Sequence, residues 1–176
     1  MRAMRAVMTK SIDIQFTRPY QTPPKVITWL TTLESDCQSN TRFNAITENV
    51  TANGFTLHIK TWWDTVIHNA TTVSWIAVPS DNPIMTAGQL VTKGFGASSG
   101  LQEKVTFDKP FKRIPRVMVA FSMLDIGNSA NMRIAVYPKD ITTQGMTLVI
   151  NTWADAMIYT SAVGYIAIDD APASRS

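Results

Sequence analysis

The sequence predicts an all-β protein built from two tandem antiparallel β-sandwiches of about six strands each. Apolar and polar residues alternate with period two in segments such as FTLHIKTW and MTLVINTW, which is typical of half-buried strands. No long segment keeps the apolar spacing of an amphipathic helix. The 176 residues, 45% hydrophobic and 16% charged, are enough to bury a core. The third observation is an internal duplication.

The duplication relates two copies at a nearly constant offset. FTRPYQTPPKV, from Phe16, aligns with FDKPFKRIPRV, from Phe107, so the offset is 91 (107 − 16). The same offset carries Asn40-Thr41-Arg42 onto Asn131-Met132-Arg133 and Thr61-Trp62-Trp63-Asp64 onto Thr152-Trp153-Ala154-Asp155. We therefore predict an N-terminal arm (1–11), repeat 1 (12–79), a linker or set of loops (80–102), repeat 2 (103–170) and a C-terminal tail (171–176).

Each element of a copy has its own local signal. PKVITWL and PRVMVAF follow prolines, which can start a strand but not stand inside one. Asn53-Gly54 is a hairpin turn signal, and Gln144-Gly145 repeats it more weakly. VSWIAV and VGYIAI are rich in β-branched and aromatic residues and predict the last strand of each copy.

Charge and composition argue against several classes of function. The formal charge of +3 is spread without a run of like charges, so no nucleic-acid partner is expected. No apolar stretch reaches the roughly 18 to 20 residues of a membrane span. Cys37 is the single cysteine, which excludes an intrachain disulfide, and we expect no metal or other cofactor. The basic start MRAMRAVMTK has no apolar core of a secretory signal, so we expect a cytoplasmic or unconventionally secreted protein.

Alternation assigns one face of each copy to the core and the other to polar groups. Phe55, Leu57 and Ile59 share the apolar face of their strand, and Trp62 falls on the opposite side. Each copy is thus predicted to hold an arginine, a tryptophan and an acid outside its core: Arg42, Trp62 and Asp64, and Arg133, Trp153 and Asp155. Exposed indoles are costly unless a subunit interface or a ligand covers them.

Other roles for these side chains stay open at this stage. The arginines also suit interface ion pairs, the tryptophans suit packing, and aspartates commonly cap turns. A catalytic set of Ser74, His58 and Asp64 is not predicted, because Val149 stands at the position of His58 in the second copy. We therefore expect a binding protein rather than an enzyme.

The order of these motifs resembles the H-type lectin domain of snail agglutinins and discoidins. The shared order is Phe-x-x-Pro-aromatic, Pro-x-Val, Asn-x-Arg, Gly-aromatic, Thr-Trp-x-Asp and aromatic-Ile-Ala, and it covers both copies. The resemblance implies a six-stranded antiparallel sandwich, trimers, and binding of galactose or N-acetylgalactosamine near protomer interfaces, as in agglutinins and cell-adhesion lectins. For this chain it implies a homo-oligomer of three tandem-domain chains. A structural module that keeps the fold for oligomerisation without binding a sugar is the alternative.

The resemblance also assigns candidate sugar-binding residues. Its arginine falls on Arg42 and Arg133, and its tryptophan on Trp62 and Trp153. The complete set of candidates is Arg133, Trp153, Asp155 and Tyr159 in the second copy and Arg42, Trp62, Trp63, Asp64 and His68 in the first. Ala154 replaces Trp63, and no aspartate ahead of Phe16 or Phe107 matches an acid that the family uses. The second-copy set is therefore predicted to be the more family-like site.

Overall fold

The computed structural model describes residues 9–68, 71–92 and 100–169, and within them the chain forms eleven strands and no helix. Most of the predicted N-terminal arm and the predicted C-terminal tail lie outside the described residues, although β1 already begins within the arm. The strands are β1 (Thr9–Gln15), β2 (Lys25–Thr32), β3 (Thr41–Glu48), β4 (Gly54–Lys60), β5 (Thr72–Val78), β6 (Met85–Val91), β7 (Leu101–Thr106), β8 (Arg116–Ile126), β9 (Ala135–Lys139), β10 (Gly145–Asn151) and β11 (Ile158–Ile168).

The strands form three sheets, and every pairing is antiparallel. The sheet orders are β1-β4-β3-β8-β11-β6, β7-β10-β9 and β2-β5. The first copy supplies β1-β4-β3 and β2-β5, and the second copy repeats these as β7-β10-β9 and β8-β11. The all-β fold and the duplication predicted from the sequence are both present.

The two hairpin turns are built alike and lie where the sequence predicts them. The Thr51 hydroxyl accepts a hydrogen bond from the Gly54 N–H at 3.2 Å, and Thr142 accepts one from Gly145 at 3.1 Å. A Cβ atom on either glycine would lie 2.2 Å from a carbonyl oxygen of the neighbouring edge strand. Glycine is therefore required for β1 and β7 to approach the starts of β4 and β10.

The prediction of a linker or loops over 80–102 does not hold for its central part. Residues 85–91 form β6, which pairs with β11 from Met85↔Ile168 to Val91↔Ala162. The Pro, Gly and Ser residues around this segment obscure a short strand whose Ala87 is buried against Ile166. Six strands in two sheets are reached in the second copy only when β6 is included.

The sequence analysis predicted two separate sandwiches joined by a linker, and this prediction is wrong because the two copies share a sheet. β3 of the first copy pairs with β8 of the second, from Thr41↔Ile126 to Asn44↔Met123. The β2-β5 sheet of the first copy also contacts strands of both copies. The Thr28 hydroxyl donates to the Ala45 carbonyl of the first copy at 3.0 Å, while the Trp29 indole donates to the Gly164 carbonyl of the second at 3.4 Å.

β11 is a deeply buried strand of this shared core, with residues 161–167 all buried. Val163 and Tyr165 pack in clusters that hold β10 residues, so they face the β7-β10-β9 sheet. Gly164 and Ile166 point the opposite way, toward Ile27 of β2. The sheet containing β11 therefore separates β2 from β9.

Candidate functional site

In the first copy, β3 places Arg42 between an acid of its own copy and an acid of the other. Its Nη1 lies 2.8 Å from Asp64 Oδ1, and its Nε lies 3.5 Å from Asp125 Oδ1. Arg42 is only 8% exposed, so the prediction that it lies outside the core is wrong. It is buried because Asp125 is its cross-strand partner in the β3–β8 junction.

A tight turn after β4 brings Asp64 to Arg42. The Thr65 N–H donates to the Trp62 carbonyl at 3.4 Å, and Trp63 between them has a φ of 62°. Ala154 has a φ of 56° at the equivalent position, so both copies hold a non-glycine residue in the left-handed region. Such conformations cost free energy and persist only where the surroundings impose them.

The two neighbouring indoles of the first copy have different environments. Trp63 is 68% exposed, and Arg42 Cζ lies 5.3 Å from its ring centroid, which is a cation–π contact. Trp62 is half-buried, and its side chain forms a hydrogen bond with Asp125. The second copy of the same chain therefore covers part of Trp62, a cover that the sequence analysis did not consider.

Asp125 is a site residue that the sequence analysis missed. Burial raises the pKa of its carboxyl group, while the Arg42 charge and hydrogen bonds with Asn40 and Trp62 oppose that rise. Its Oδ1 accepts no hydrogen bond from the described residues, so the 3.5 Å approach of Arg42 is an ion pair of poor hydrogen-bond geometry. The repeat contained a signal for it, because Glu34 is the acid at the equivalent position of the first copy.

His68 does not join Arg42 in this arrangement. Its Nε2 lies 2.8 Å from Asp36 Oδ1 at an exposed position. The hydrogen bond with Asp36 raises the pKa of the imidazole, and the charges of Asp36 and Glu34 add to the rise, while burial opposes it. His68 thus belongs to a separate acid–imidazole pair.

The second copy holds the equivalent side chains in a more open arrangement. Arg133 forms an ion pair with Asp155, and its Nη1 also donates to the Asn131 carbonyl at 3.4 Å. Trp153 is 48% exposed and Tyr159 is 43% exposed. The prediction that arginine, tryptophan and acid lie outside the core is confirmed for this copy.

The most direct difference between the sites is the missing second acid. The Arg133 side chain is 24% exposed, against 10% for Arg42. β9 begins only at Ala135 and, among the described residues, pairs only with β10. Among the described strands, none pairs beside Arg133 to bring it a second acid, as β8 brings Asp125 to Arg42.

The residues considered for catalysis are not brought together. Ser74 shares a hydrogen bond with Thr31, His58 contacts Ser11 and Glu48, and Asp64 binds Arg42. Within the described residues, no group of three or more His, Cys, Asp or Glu side chains is arranged to hold a metal ion. That same part of the chain contains no helix that could cross a membrane.

Comparison with known proteins identifies a family. The H-type lectin domain family model matches residues 11–78 and 102–168. An ORF 7 product of the ATP synthase subunits region of Fuscovulum blasticum is 39% identical over 64 residues, which are 36% of this chain and 56% of that protein. One of the discoidin-1 subunits of Dictyostelium discoideum is 27% identical over 126 residues, 67% of this chain and 49% of that protein.

Among solved structures, discoidin II of Dictyostelium discoideum matches with a TM-score of 0.45 and 16% identity. The match covers 90% of this chain and 77% of that chain. The chain spans about half the length of the curated relatives that it matches.

Proposed function

Because the chain belongs to the H-type lectin domain family, we propose that it is a carbohydrate-binding protein and not an enzyme. The observation that carries the proposal is the second-copy set of Arg133, Trp153, Asp155 and Tyr159. Trp153 and Tyr159 are about half exposed, and Arg133 forms an ion pair with Asp155, which follows Trp153 by two residues in the same turn. Exposed aromatic rings next to charged hydrogen-bonding groups are typical of a ligand site.

This combination of groups suits the chemistry of a pyranose ring. One face of such a ring carries C–H groups that stack on an indole or phenol. Its hydroxyl groups need donors and acceptors at the rim, which a guanidinium and a carboxylate supply with charge-assisted hydrogen bonds. Asp155 is well placed for this role, since its side chain is 71% exposed although it binds Arg133.

We further propose glycans of the galactose or N-acetylgalactosamine type as the ligands. A shallow surface site of this kind binds a single sugar weakly, so useful affinity depends on several sites acting together. Three chains of two copies each would present six domains, as in an agglutinin or a cell-adhesion lectin. In the first copy, Trp63 and Asp64 are the candidate contacts of a modified site, and His68, which pairs with Asp36, lies outside it.

The second candidate function is an oligomerisation module on the same fold. The state of Arg42 favours it, because this arginine is buried between Asp64 and Asp125 and holds the two copies together. An arginine whose guanidinium group already pairs with two carboxylates has fewer donors left for the hydroxyl groups of a sugar. The first copy thus favours the oligomerisation module, whereas the second copy favours sugar binding.

A glycan array probed with the full chain tests the proposal. The lectin hypothesis predicts selective binding to glycans that end in galactose or N-acetylgalactosamine, with competition by the free sugar. A folded chain, verified by circular dichroism, that binds no glycan on the array at high protein concentration would support the oligomerisation module. Release of free sugar from the array by the protein would instead contradict the non-enzymatic part.

A further inference from the structure

We propose that the β3–β8 junction inside the chain is repeated between chains. In this arrangement β9 of one chain pairs with β2 of a second copy of the same chain, and Arg133 meets Glu34 of the partner subunit. The inference concerns assembly, so it does not depend on whether the chain binds a sugar. Four features of the described residues support it.

The first feature is the equivalence of the edges. Within the chain, the junction pairs Arg42 with Asp125 as cross-strand neighbours. At the offset of 91 that relates the copies, Arg133 is the equivalent of Arg42 and Glu34 is the equivalent of Asp125. The two positions that would face each other therefore hold a basic residue just before β9 and an acidic residue just after β2.

The second feature is that β9 and β2 are shorter than their equivalents in the junction, β3 and β8. β3 begins at Thr41, whereas β9 begins at Ala135, the equivalent of Asn44. β8 continues to Ile126, whereas β2 ends at Thr32, the equivalent of Met123. The residues missing from the shorter strands, 132–134 and 33–35, correspond to those that extend β3 and β8 through the junction. On the side that pairs across the internal junction, the described residues give neither segment a partner strand; residues 33–35 keep only an isolated bridge from Ser35 to Ile67 on the other side.

The third feature is that these edges cannot meet within one chain. Among the described residues, β2 pairs only with β5 and β9 only with β10. The sheet containing β11 lies between them, since Gly164 faces β2 while Val163 packs with the β10 side chains. Among residues 9–68, 71–92 and 100–169, neither edge therefore has a strand to pair with, and unpaired edges are ready templates for pairing with another molecule.

The fourth feature is the difference in burial. Asp125 and Arg42 have side chains that are 16% and 10% exposed in the junction, whereas the Arg133 side chain is 24% exposed and Glu34 is exposed. Docking would bury this acid–base pair as the internal one is buried. It would leave Asp155 facing solvent, as Asp64 is at 47% exposure, so assembly is compatible with a sugar at the same turn.

Each chain carries one copy of each edge, so the contact is head to tail. Repetition of such a contact gives a closed ring when the rotation closes and an open chain when it does not. The measurement of choice is therefore the mass of the assembly at micromolar concentration by light scattering. The variants are Glu34→Arg, Arg133→Glu and the double exchange, with Asp81→Arg as a matched charge change at an exposed position away from these edges.

We expect the parent chain and Asp81→Arg to form the same multi-chain species. Each single variant should raise the dissociation constant of the assembly at least about 30-fold, because like charges then oppose each other in a desolvated contact. The double exchange should restore the multi-chain species. A parent chain that is monomeric at about 100 μM, single variants with the parent mass, or a double exchange that stays dissociated would each overturn the pairing.

Hydrogen–deuterium exchange gives a second readout that a general loss of stability would not reproduce. In the parent assembly, the amides of 132–135 should be protected to a similar degree as those of 41–44. In Glu34→Arg, protection of 132–135 should be lost while 41–44, which pair within the chain, stay protected. Equal protection of 132–135 in the parent and in this variant would contradict the proposal.

Discussion

Arg42 lies between two acids, and its role differs from that of its equivalent, Arg133. Asp125 is held in the junction with its carboxyl group largely buried, so its charge depends on Arg42. Breaking a buried pair by removing one partner leaves an uncompensated charge, which is more costly than the loss of an exposed pair.

We predict that Arg42→Ala lowers the free energy of unfolding by about 3 kcal/mol at pH 7, and that Arg133→Ala lowers it by less than about 1 kcal/mol in dilute solution. Without Arg42, burial raises the pKa of Asp125 further. A carboxyl group whose pKa is higher in the folded state destabilises the fold above that pKa. The penalty should therefore shrink as the pH falls through the folded-state pKa of Asp125 toward about 3.9.

Urea unfolding of both variants between pH 4 and pH 8, in steps of about one unit around the ordinary carboxyl range, measures these differences. Equal losses for Arg42→Ala and Arg133→Ala would contradict the structural role assigned to the junction. A penalty for Arg42→Ala that grows toward low pH would contradict the assignment of Asp125 as the buried charge.

The His68–Asp36 pair gives a second prediction at the residue scale. The hydrogen bond with Asp36 raises the pKa of His68, so its NMR titration should have a midpoint above the ordinary value of about 6.5. The stabilising contact is complete at low pH and is lost as the pH rises through that midpoint. Asp36→Asn should lower the midpoint, while Asp81→Asn should leave it in place; a midpoint unchanged by Asp36→Asn would exclude the pair.

At the scale of single elements, the hairpin turns are the part of the fold that the sequence predicts best. Asn53-Gly54 and Gln144-Gly145 lie at the turns because a glycine there admits the neighbouring edge strand. β6 is the part that it predicts worst. MTAGQLV has a short, mixed pattern, and its partner β11 is remote in sequence, so only tertiary pairing identifies the strand.

A glycine substitution tests the close approach of β7 to β10. A Cβ atom at Gly145 would lie 2.2 Å from the Val105 carbonyl oxygen, so Gly145→Ala forces the backbone apart. We expect a loss of about 1 to 3 kcal/mol in the free energy of unfolding. Gly127→Ala is the matched control, because the nearest atoms to its added Cβ atom are 3.5 Å away. A Gly145→Ala variant as stable as Gly127→Ala would show that the edge strand is not held there.

For the whole molecule, the copies share hydrogen bonds and core packing, so they should unfold together. Calorimetry of the chain is predicted to show one transition with equal calorimetric and van't Hoff enthalpies. Gly164→Ala, whose Cβ atom would lie 2.5 Å from Ile27 Cγ2 between the copies, should lower the midpoint of that single transition by several degrees. Two resolved transitions, with only one of them moved by Gly164→Ala, would contradict the shared core.

The candidate site was predictable from the sequence only within a copy. The duplication and the lectin-like motifs identified Arg133, Trp153 and Asp155, and the structure brings Arg133 and Asp155 together. The burial of Arg42 and the role of Asp125 could not be predicted, because they depend on a contact between copies. Periodicity assigns a residue to a face of its own strand and does not report which other strand covers that face.

The most direct test of the proposed function is a calorimetric titration with a galactoside and an N-acetylgalactosaminide of the parent chain, Trp153→Ala and Trp62→Ala. The parent should bind, and Trp153→Ala should lose at least about tenfold in affinity, because the removed stacking ring contributes on the order of 1 to 3 kcal/mol. Trp62→Ala should keep the affinity of the second-copy site, provided that circular dichroism shows an intact fold. Unchanged binding by Trp153→Ala together with loss of binding by Trp62→Ala would reverse the assignment, and binding that neither substitution alters would contradict it.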